Sequence, residues 1–302
     1  MLKLEDFKPV ELEDKSLFDA HYKQYPPSHS DNMFTTMISW KQYGGYQYTF
    51  YKDNLLILSN VRNRIQFRPP SGRLNKDVFS ELIKLAINEG SKDPLGVIDI
   101  EKKKWLSSIY PKLEYDTDRD YFDYVYKSSD LAELSGSKYS KIRNRLNKFK
   151  KNNDYLIEKI TDKNFDEIRK FLKRWCLWKD CESDPILENE KQAILFSMDH
   201  YFDLKLSGIA IRIKEDIEAI AVFEEINPDT IVIHYEKGSP DYDGIYKAIN
   251  QETVKMVKND YNFINRESDM GLPGLRKAKL SYSPHHMVEI YHVSKKNLST
   301  LI

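Results

Sequence analysis

Between positions 261 and 284 the chain reads YNFINRESDMGLPGLRKAKLSYSP, setting a short apolar run, an Asn-Arg-Glu triplet, a Gly-Leu-Pro-Gly turn and three cations side by side. Tyr261, Phe263 and Ile264 read as a strand, so Asn265, Arg266 and Glu267 would emerge at its carboxyl end. Residues 271–274 then force a turn, because glycine reaches positive φ at little steric cost and proline fixes its own φ. Arg276, Lys277 and Lys279 follow at once and crowd positive charge beyond it. Ligands of open α/β sheets bind outside strand carboxyl ends, and such cations recognise phosphate through charge-assisted hydrogen bonds. A phosphate-bearing ligand is therefore the natural guest. The same residue types also suit a plain turn followed by a solvated helix face.

Two further sets could do chemistry. Glu236 and His234 share one face of a strand by its period of two, and Glu224 or Glu225 ends the neighbouring strand, only one of that adjacent pair being able to face a site. Upstream, positions 138 to 151 hold seven basic residues and no acid. Tyr139, Ile142, Leu146 and Phe149 fall on one helical face there, while Lys141, Arg145, Lys148 and Lys151 point away as a ridge able to grip a polyphosphate or an RNA backbone. A connecting helix with a solvated back fits the same pattern.

The elements that must position these groups are legible from periodicity. In the second half strands are expected over 155–160, 207–214, 216–225, 230–236 and 261–265, with a last strand near 287–292, and helices over 163–176, 188–203 and 243–259. Phe165, Ile168, Phe171, Leu172 and Trp175 line one helix face, and Ile217, Ala219, Ala221 and Phe223 one strand face. The first half repeats the order, with strands near 7–12, 46–51, 54–60, 64–68 and 95–100 and helices over 15–24 and 75–89. LEDKSLFD at 12–19 echoes ITDKNFDE at 160–167, so a duplicated α/β unit is expected.

Composition bounds the rest. At 302 residues the chain suits two domains, and 47 basic against 47 acidic side chains give nothing global to recruit DNA or an anionic membrane. The longest strictly apolar run is 219–223, far short of the roughly 18 residues a membrane span needs. The expectation is a soluble, cytoplasmic protein with no membrane span. Cys176 and Cys181 have no further cysteine to complete a metal set and read as idle thiols, and His285, His286 and His292 stand without a nearby acidic cluster. No metal and no tightly bound cofactor is expected.

A strand, two helices, an antiparallel meander, a helix and a parallel strand is the order of the GNAT acyltransferase fold, here in tandem. More specifically, SGSKYSKIRNRLNKFK at 135–150, EEIN at 224–227, HYEK at 234–237 and INRESDMGLPGLRKAKLSY at 264–282 resemble the soluble family grouped with the C-terminal domain of phosphatidylglycerol lysyltransferases. The resemblance covers nearly the whole chain. It implies two tandem GNAT-like domains, each a mixed sheet flanked by helices: 1–130, a basic connecting helix at 131–154, and 155–302 with the site. It also implies acyl transfer, since the lysyltransferases and the similar Fem peptidyltransferases move an aminoacyl group from a charged tRNA, whereas ordinary GNAT enzymes use acyl-CoA.

In such a domain backbone amides at the splay between the two central parallel strands stabilise the oxyanion. Glu236, His234 and Glu225 are then the candidate catalytic groups, with Glu236 first as base. Asn265, Arg266, Glu267, Arg276, Lys277, Lys279 and Tyr282 are the candidate contacts to substrate or donor phosphate. Two departures stand out. The Gln/Arg-x-x-Gly-x-Gly/Ala loop that binds CoA pyrophosphate is replaced by KGSPDYDG at 237–244, and the multi-span membrane region of the lysyltransferases has no counterpart. The expected co-substrate is aminoacyl-tRNA, the alternatives being acyl-CoA or a non-catalytic nucleotide- or RNA-binding module. An α-amine, neutral at about a tenth at pH 7, would ask less of a base than a lysine side chain neutral below about one part in a thousand.

Overall fold

A computed structural model describes residues 1–180 and 185–301. The chain divides into a first unit of residues 1–122 with 288–302 and a second of 123–287. The first unit contains β1 (Lys8–Pro9), α1 (Lys15–Tyr22), α2 (Phe34–Ser39), α3 (Lys41–Gly44), β2 (Gln47–Tyr51), β3 (Asn54–Val61), β4 (Arg64–Phe67), α4 (Lys76–Glu89), β5 (Leu95–Ile98), α5 (Ile100–Ile109) and β6 (Asp116–Thr117). The second opens with β7 (Asp123–Lys127), α6 (Ser128–Glu133) and α7 (Ser140–Asn152). It continues through β8 (Tyr155–Lys159), α8 (Phe165–Lys179), α9 (Pro185–Asp199), β9 (Ser207–Ile213), β10 (Asp216–Asn227), β11 (Thr230–Gly238), α10 (Ile245–Val257), β12 (Phe263–Asn265), α11 (Pro273–Leu280) and β13 (His286–Val288). The chain then returns to the first unit as β14 (Tyr291–Val293) and α12 (Lys295–Leu298).

Strand order shows the duplication directly. The first sheet runs β1-β2-β3-β4-β5-β14-β6 and the second β8-β9-β10-β11-β12-β7-β13. In each, four antiparallel strands lead to one parallel neighbour, β4 to β5 and β11 to β12, and an antiparallel sixth strand follows. The expected tandem of mixed sheets flanked by helices is therefore what the chain forms.

The boundaries differ from the expected ones, for a reason of pairing. β7 is hydrogen-bonded to β12, with Lys127 opposite Phe263 and Val125 opposite Asn265, so the second unit begins at 123 and not at 155. The expected single strand near 287–292 is two: β13 ends the second sheet, whereas β14 pairs with β5 in the first. Nor is the basic helix a linker. Ile142, Leu146 and Phe149 of α7 are buried in one cluster with Ile245, Ala248 and Ile249 of α10 and with Ala219, Ala221 and Phe223 of β10. At about 1.5–3 kcal/mol for each fully buried large apolar side chain, α7 belongs firmly to that core.

α10 is positioned from its first residue. Gly244 precedes it at φ +95°, where a Cβ would stand 2.8 Å from the Arg145 carbonyl oxygen of α7. Any other residue there would be strained and would push the two helices apart. Cys176 is half-buried on α8, and Cys181 lies outside the described residues.

Candidate functional site

β11 and β12 run parallel through Thr230 with Phe263, Ile231 with Ile264 and Val232 with Asn265, and there the ladder ends. Beyond it the chain after β12 stays with β7: the Arg266 amide donates to the Tyr124 carbonyl at 2.9 Å and the Tyr124 amide to the Glu267 carbonyl at 3.2 Å. The strands thus part where Arg266 and Glu267 face His234 and Glu236, which is the expected splay. β11 carries a bulge at that level, since Val222 lies opposite Tyr235 but Phe223 opposite Ile233, leaving His234 as the extra residue.

The bulge corrects the expected sharing of a face. Ile233 belongs to the core under α10, and Glu236 meets Asn250 of that helix. Tyr235 instead reaches Ser197 of α9 on the other side of the sheet. Along β12 the alternation is regular, so Arg266 falls on the side of core residue Ile264 and Glu267 on the opposite side. Two polar clusters result, one on each face, and Glu236 and His234 belong to different ones.

On the α10 face Arg266 closes on Glu236, Nε donating to Oε2 at 3.1 Å and Nη2 bonding the same oxygen, while Asn250 Nδ2 donates to Oε1 at 2.7 Å. Burial opposes the charge on Arg266, but the Glu236 carboxylate outweighs it and holds the guanidinium cationic. With both oxygens engaged, Glu236 is the counter-ion of Arg266 and not the unencumbered base expected from the sequence. The guanidinium lies over the rings of Tyr282 at 4.8 Å and Tyr126 at 5.7 Å, and Lys247 Nζ over Tyr282 at 4.6 Å. Among the described residues, Arg266 Nη1, Asn250 Oδ1 and the Tyr282 hydroxyl are buried without hydrogen-bond partners. Buried polar atoms are rarely left unpaired. Three such atoms gather around one ion pair, with donor and acceptor capacity left over.

On the other face His234 is an imidazolium between two carboxylates, Nε2 donating to Glu224 Oε1 at 2.9 Å and Nδ1 to Glu267 Oε1 at 2.8 Å. Burial would depress its pKa, but the two carboxylates prevail and push it up to about 10. Beside this triad Asn265 Nδ2 donates to buried Asp123 at 2.8 Å while its Oδ1 accepts from the Glu267 amide at 2.7 Å. Glu224, not Glu225, therefore meets the histidine. Glu225 is exposed and accepts from the Tyr261 hydroxyl at 2.8 Å.

The basic turn is mostly occupied by its own fold. Arg276 grips buried Asp269 through two hydrogen bonds of 2.8 Å. Burial alone would raise the Asp269 carboxyl, but Arg276, the Tyr124 hydroxyl and the Gly271 amide hold it below the usual carboxylate range. Lys279 is buried, and its ammonium donates to the carbonyls of Arg266, Glu267 at 3.0 Å and Ser268 at 2.6 Å. Its three N–H groups are thereby used, which removes the expected phosphate contact. Lys277 alone of the three is exposed. Lys279→Met is expected to lower stability by about 2–4 kcal/mol, because it strips three carbonyls of their donor. Lys277→Ala should change it by less than about 0.5 kcal/mol. Urea denaturation of the two variants checks this contrast.

On α7, Arg145 and Lys148 pair with Asp243 at 3.0 and 3.6 Å, and Lys141 is exposed. His285 and His286 face each other, Nδ1 to Nδ1 at 2.8 Å, and His292 lies on β14. Among the described residues no group of three or more histidine, cysteine, aspartate or glutamate side chains is arranged to hold a metal ion.

Sequence reading missed Lys247, Asn250 and Tyr126. Lys247 and Asn250 are three apart and thus on one helix face, and their signal was polarity at positions an amphipathic pattern gives to the core, where Ile245, Ala248 and Ile249 are buried.

The family model for the phosphatidylglycerol lysyltransferase C-terminal domain matches residues 22–294. The chain belongs to this family. A conserved protein of unknown function from Bacteroides thetaiotaomicron is 30% identical, with a TM-score of 0.89 over 95% of this chain and 98% of that one. The L-PGS of Bacillus licheniformis superposes with a TM-score of 0.64 at 15% identity, over 95% of this chain and 93% of its own. FemX does so with 0.56 at 10% identity, over 98% and 99%. The last two show a shared fold. As a phosphatidylglycerol lysyltransferase C-terminal family member with a Fem-like fold, the protein is pointed to acyl transfer of the aminoacyl kind. No helix among its described residues is long and apolar enough to cross a membrane.

Proposed function

We propose that the protein transfers an aminoacyl group from aminoacyl-tRNA to an amine or hydroxyl acceptor, with the reaction centred on Arg266 in the splay between β11 and β12. The supporting observation is the Arg266–Glu236 clamp, which holds Nη1 buried close to the Tyr282 hydroxyl, the guanidinium and the hydroxyl interacting with each other and neither atom making a well-formed hydrogen bond to a further described residue. Two fixed donors in a water-poor setting suit a carbonyl oxygen that gains negative charge as the acceptor attacks, and such preorganised donors are worth most where charge develops. Asn250 Oδ1 supplies an acceptor for an N–H or O–H of the same substrate. Members of the family and the Fem enzymes use aminoacyl-tRNA as donor, which supports that choice here. Lys141 and Lys277, exposed on α7 and α11, offer charge for an RNA backbone.

Acyl-CoA is the rival donor. The segment before α10 presents Asp241 and Asp243 where a pyrophosphate would need bare amides, and Arg145 and Lys148 are both paired with Asp243. Incubating the protein with tRNA charged with labelled amino acids and a mixture of amines and hydroxy compounds is expected to move label into an acid-soluble product, base-stable when the acceptor is an amine and base-labile when it is a hydroxyl. Calorimetry with acetyl-CoA is expected to show no micromolar affinity. Label release from acetyl-CoA without any transfer from charged tRNA would reverse the assignment.

A further inference from the structure

Among the three cations Arg266, Lys279 and Lys247, Lys247 is the one without a hydrogen-bonded partner among the described residues. Arg266 has Glu236, and Lys279 has its three carbonyls. Lys247 Nζ, half-buried in the first turn of α10, makes no hydrogen bond or ion pair with another described residue and lies over the Tyr282 ring at 4.6 Å. That ring is also stacked by Arg266, and the unpartnered Tyr282 hydroxyl and Arg266 Nη1 belong to the same contact. Asn250, one turn on, turns its unpartnered Oδ1 out of the same helix face. An ammonium left without a hydrogen-bonded partner beside a second cation, over an apolar ring, is a poor structural element. Charge stabilisation would have favoured an acid in contact with it, and solvation would have favoured an exposed position.

We infer that Lys247 is the proton-transfer group of this site, taking a proton from the acceptor nucleophile and returning it to the leaving oxygen of the donor. The inference rests on the acyl-transfer reading above and adds the residue that reading lacks, since Glu236 is held by Arg266 and His234 lies on the opposite face. With an amine acceptor the neutral Nζ removes one proton from the acceptor ammonium, and the freed lone pair attacks the ester carbonyl carbon. The ester C–O bond then breaks, protonated Lys247 returns its proton to the departing oxygen, and the second nitrogen proton leaves to solvent. Ester and ammonium become amide, alcohol and one released proton, and no co-reactant is required.

The surroundings match this task. Burial lowers the Lys247 pKa first, Arg266 at the end of β12 and Arg145 of α7 lower it further, Glu236 of β11 raises it, and the result is about 8. A fraction near one tenth is then neutral at pH 7, against less than about one part in a thousand for an ordinary lysine.

Two measurements test the inference. Competitive acetylation with limiting acetic anhydride from pH 6 to 11, read by peptide mass spectrometry on the intact wild-type protein, is expected to show Lys247 half-reactive near pH 8, well below the value of about 10.4 of a lysine in a model peptide run alongside. A Lys247 profile like that of the model peptide overturns the inference, and this arm needs no transfer assay. In the transfer assay, Lys247→Met is expected to lower kcat by about 100-fold or more with KM for charged tRNA changed less than threefold, and to abolish the acidic limb of the kcat/KM profile near pH 8. Lys247→Arg, which keeps charge and bulk, should fail equally. An unchanged pH profile in either folded variant overturns the role, whereas absence of transfer by the wild type would count against the proposed function alone.

Discussion

Arg266→Met is expected to reduce aminoacyl transfer by roughly 100- to 1000-fold, the usual cost of losing a preorganised oxyanion donor. It should also lower stability by about 3–5 kcal/mol, because removing one partner of a buried ion pair leaves the other charged and unpaired. Glu236 is that partner, with one oxygen held by Arg266 and the other by Asn250. The two effects are separable. In the double variant Arg266→Met with Glu236→Gln the buried charge is gone and an amide remains for Asn250, so most of the lost stability should return while transfer stays lost. Chemical denaturation paired with the charged-tRNA assay reads both quantities. A double variant that transfers at a wild-type rate would show that Arg266 serves the fold and not the reaction.

His234 should impose a pH dependence on stability that no catalytic assay is needed to see. Its folded pKa is raised to about 10 by Glu224 and Glu267, against 6.5 for the unperturbed side chain. The folded state therefore holds a proton that the unfolded chain releases, so the stabilisation is complete below about pH 6.5 and is lost as pH rises through about 10. Lys247 and Lys279, both lowered to about 8, act in the opposite sense over 8 to 10.5. The difference between wild type and a His234 variant isolates the histidine. His234→Gln is expected to cost about 1–3 kcal/mol at pH 6.5, where two half-buried carboxylates lose their common cation. That deficit should shrink steadily toward pH 10. Thermal melting of both proteins at half-unit pH steps gives the comparison, and parallel curves would remove His234 as the titrating group.

Much of this architecture was legible in the sequence because its signals are local. The amphipathic faces of α7, α8 and α10 and the alternation of β10 follow from side-chain periods that each segment expresses alone. The repeated order of elements followed from them, and so did the placement of Arg266 at the end of a parallel strand. The strand β6 escaped because two residues express no period, and β7 was missed although it is as long as β2 and β8. β14 was merged with β13, because nothing in the run 286–293 announces that its two ends belong to different sheets.

What the sequence could not settle was which charges meet. Three cations after residue 274 looked alike, yet Arg276 answers Asp269, Lys279 answers three carbonyls, and only Lys277 faces outward. Glu236 and His234 are two apart and were assigned one face. A single bulge, fixed by how β11 registers against β10 and not by β11 itself, sends them to opposite sides of the sheet. Lys247 and Asn250 gained meaning only when α10 was laid over Arg266 and Tyr282, residues 16 or more positions away in the chain. Periodicity is a property of neighbours along the backbone and survives in the sequence. Ion pairing, desolvation and the leaving of a buried atom without a partner are properties of neighbours in space, and those the tertiary structure alone decides.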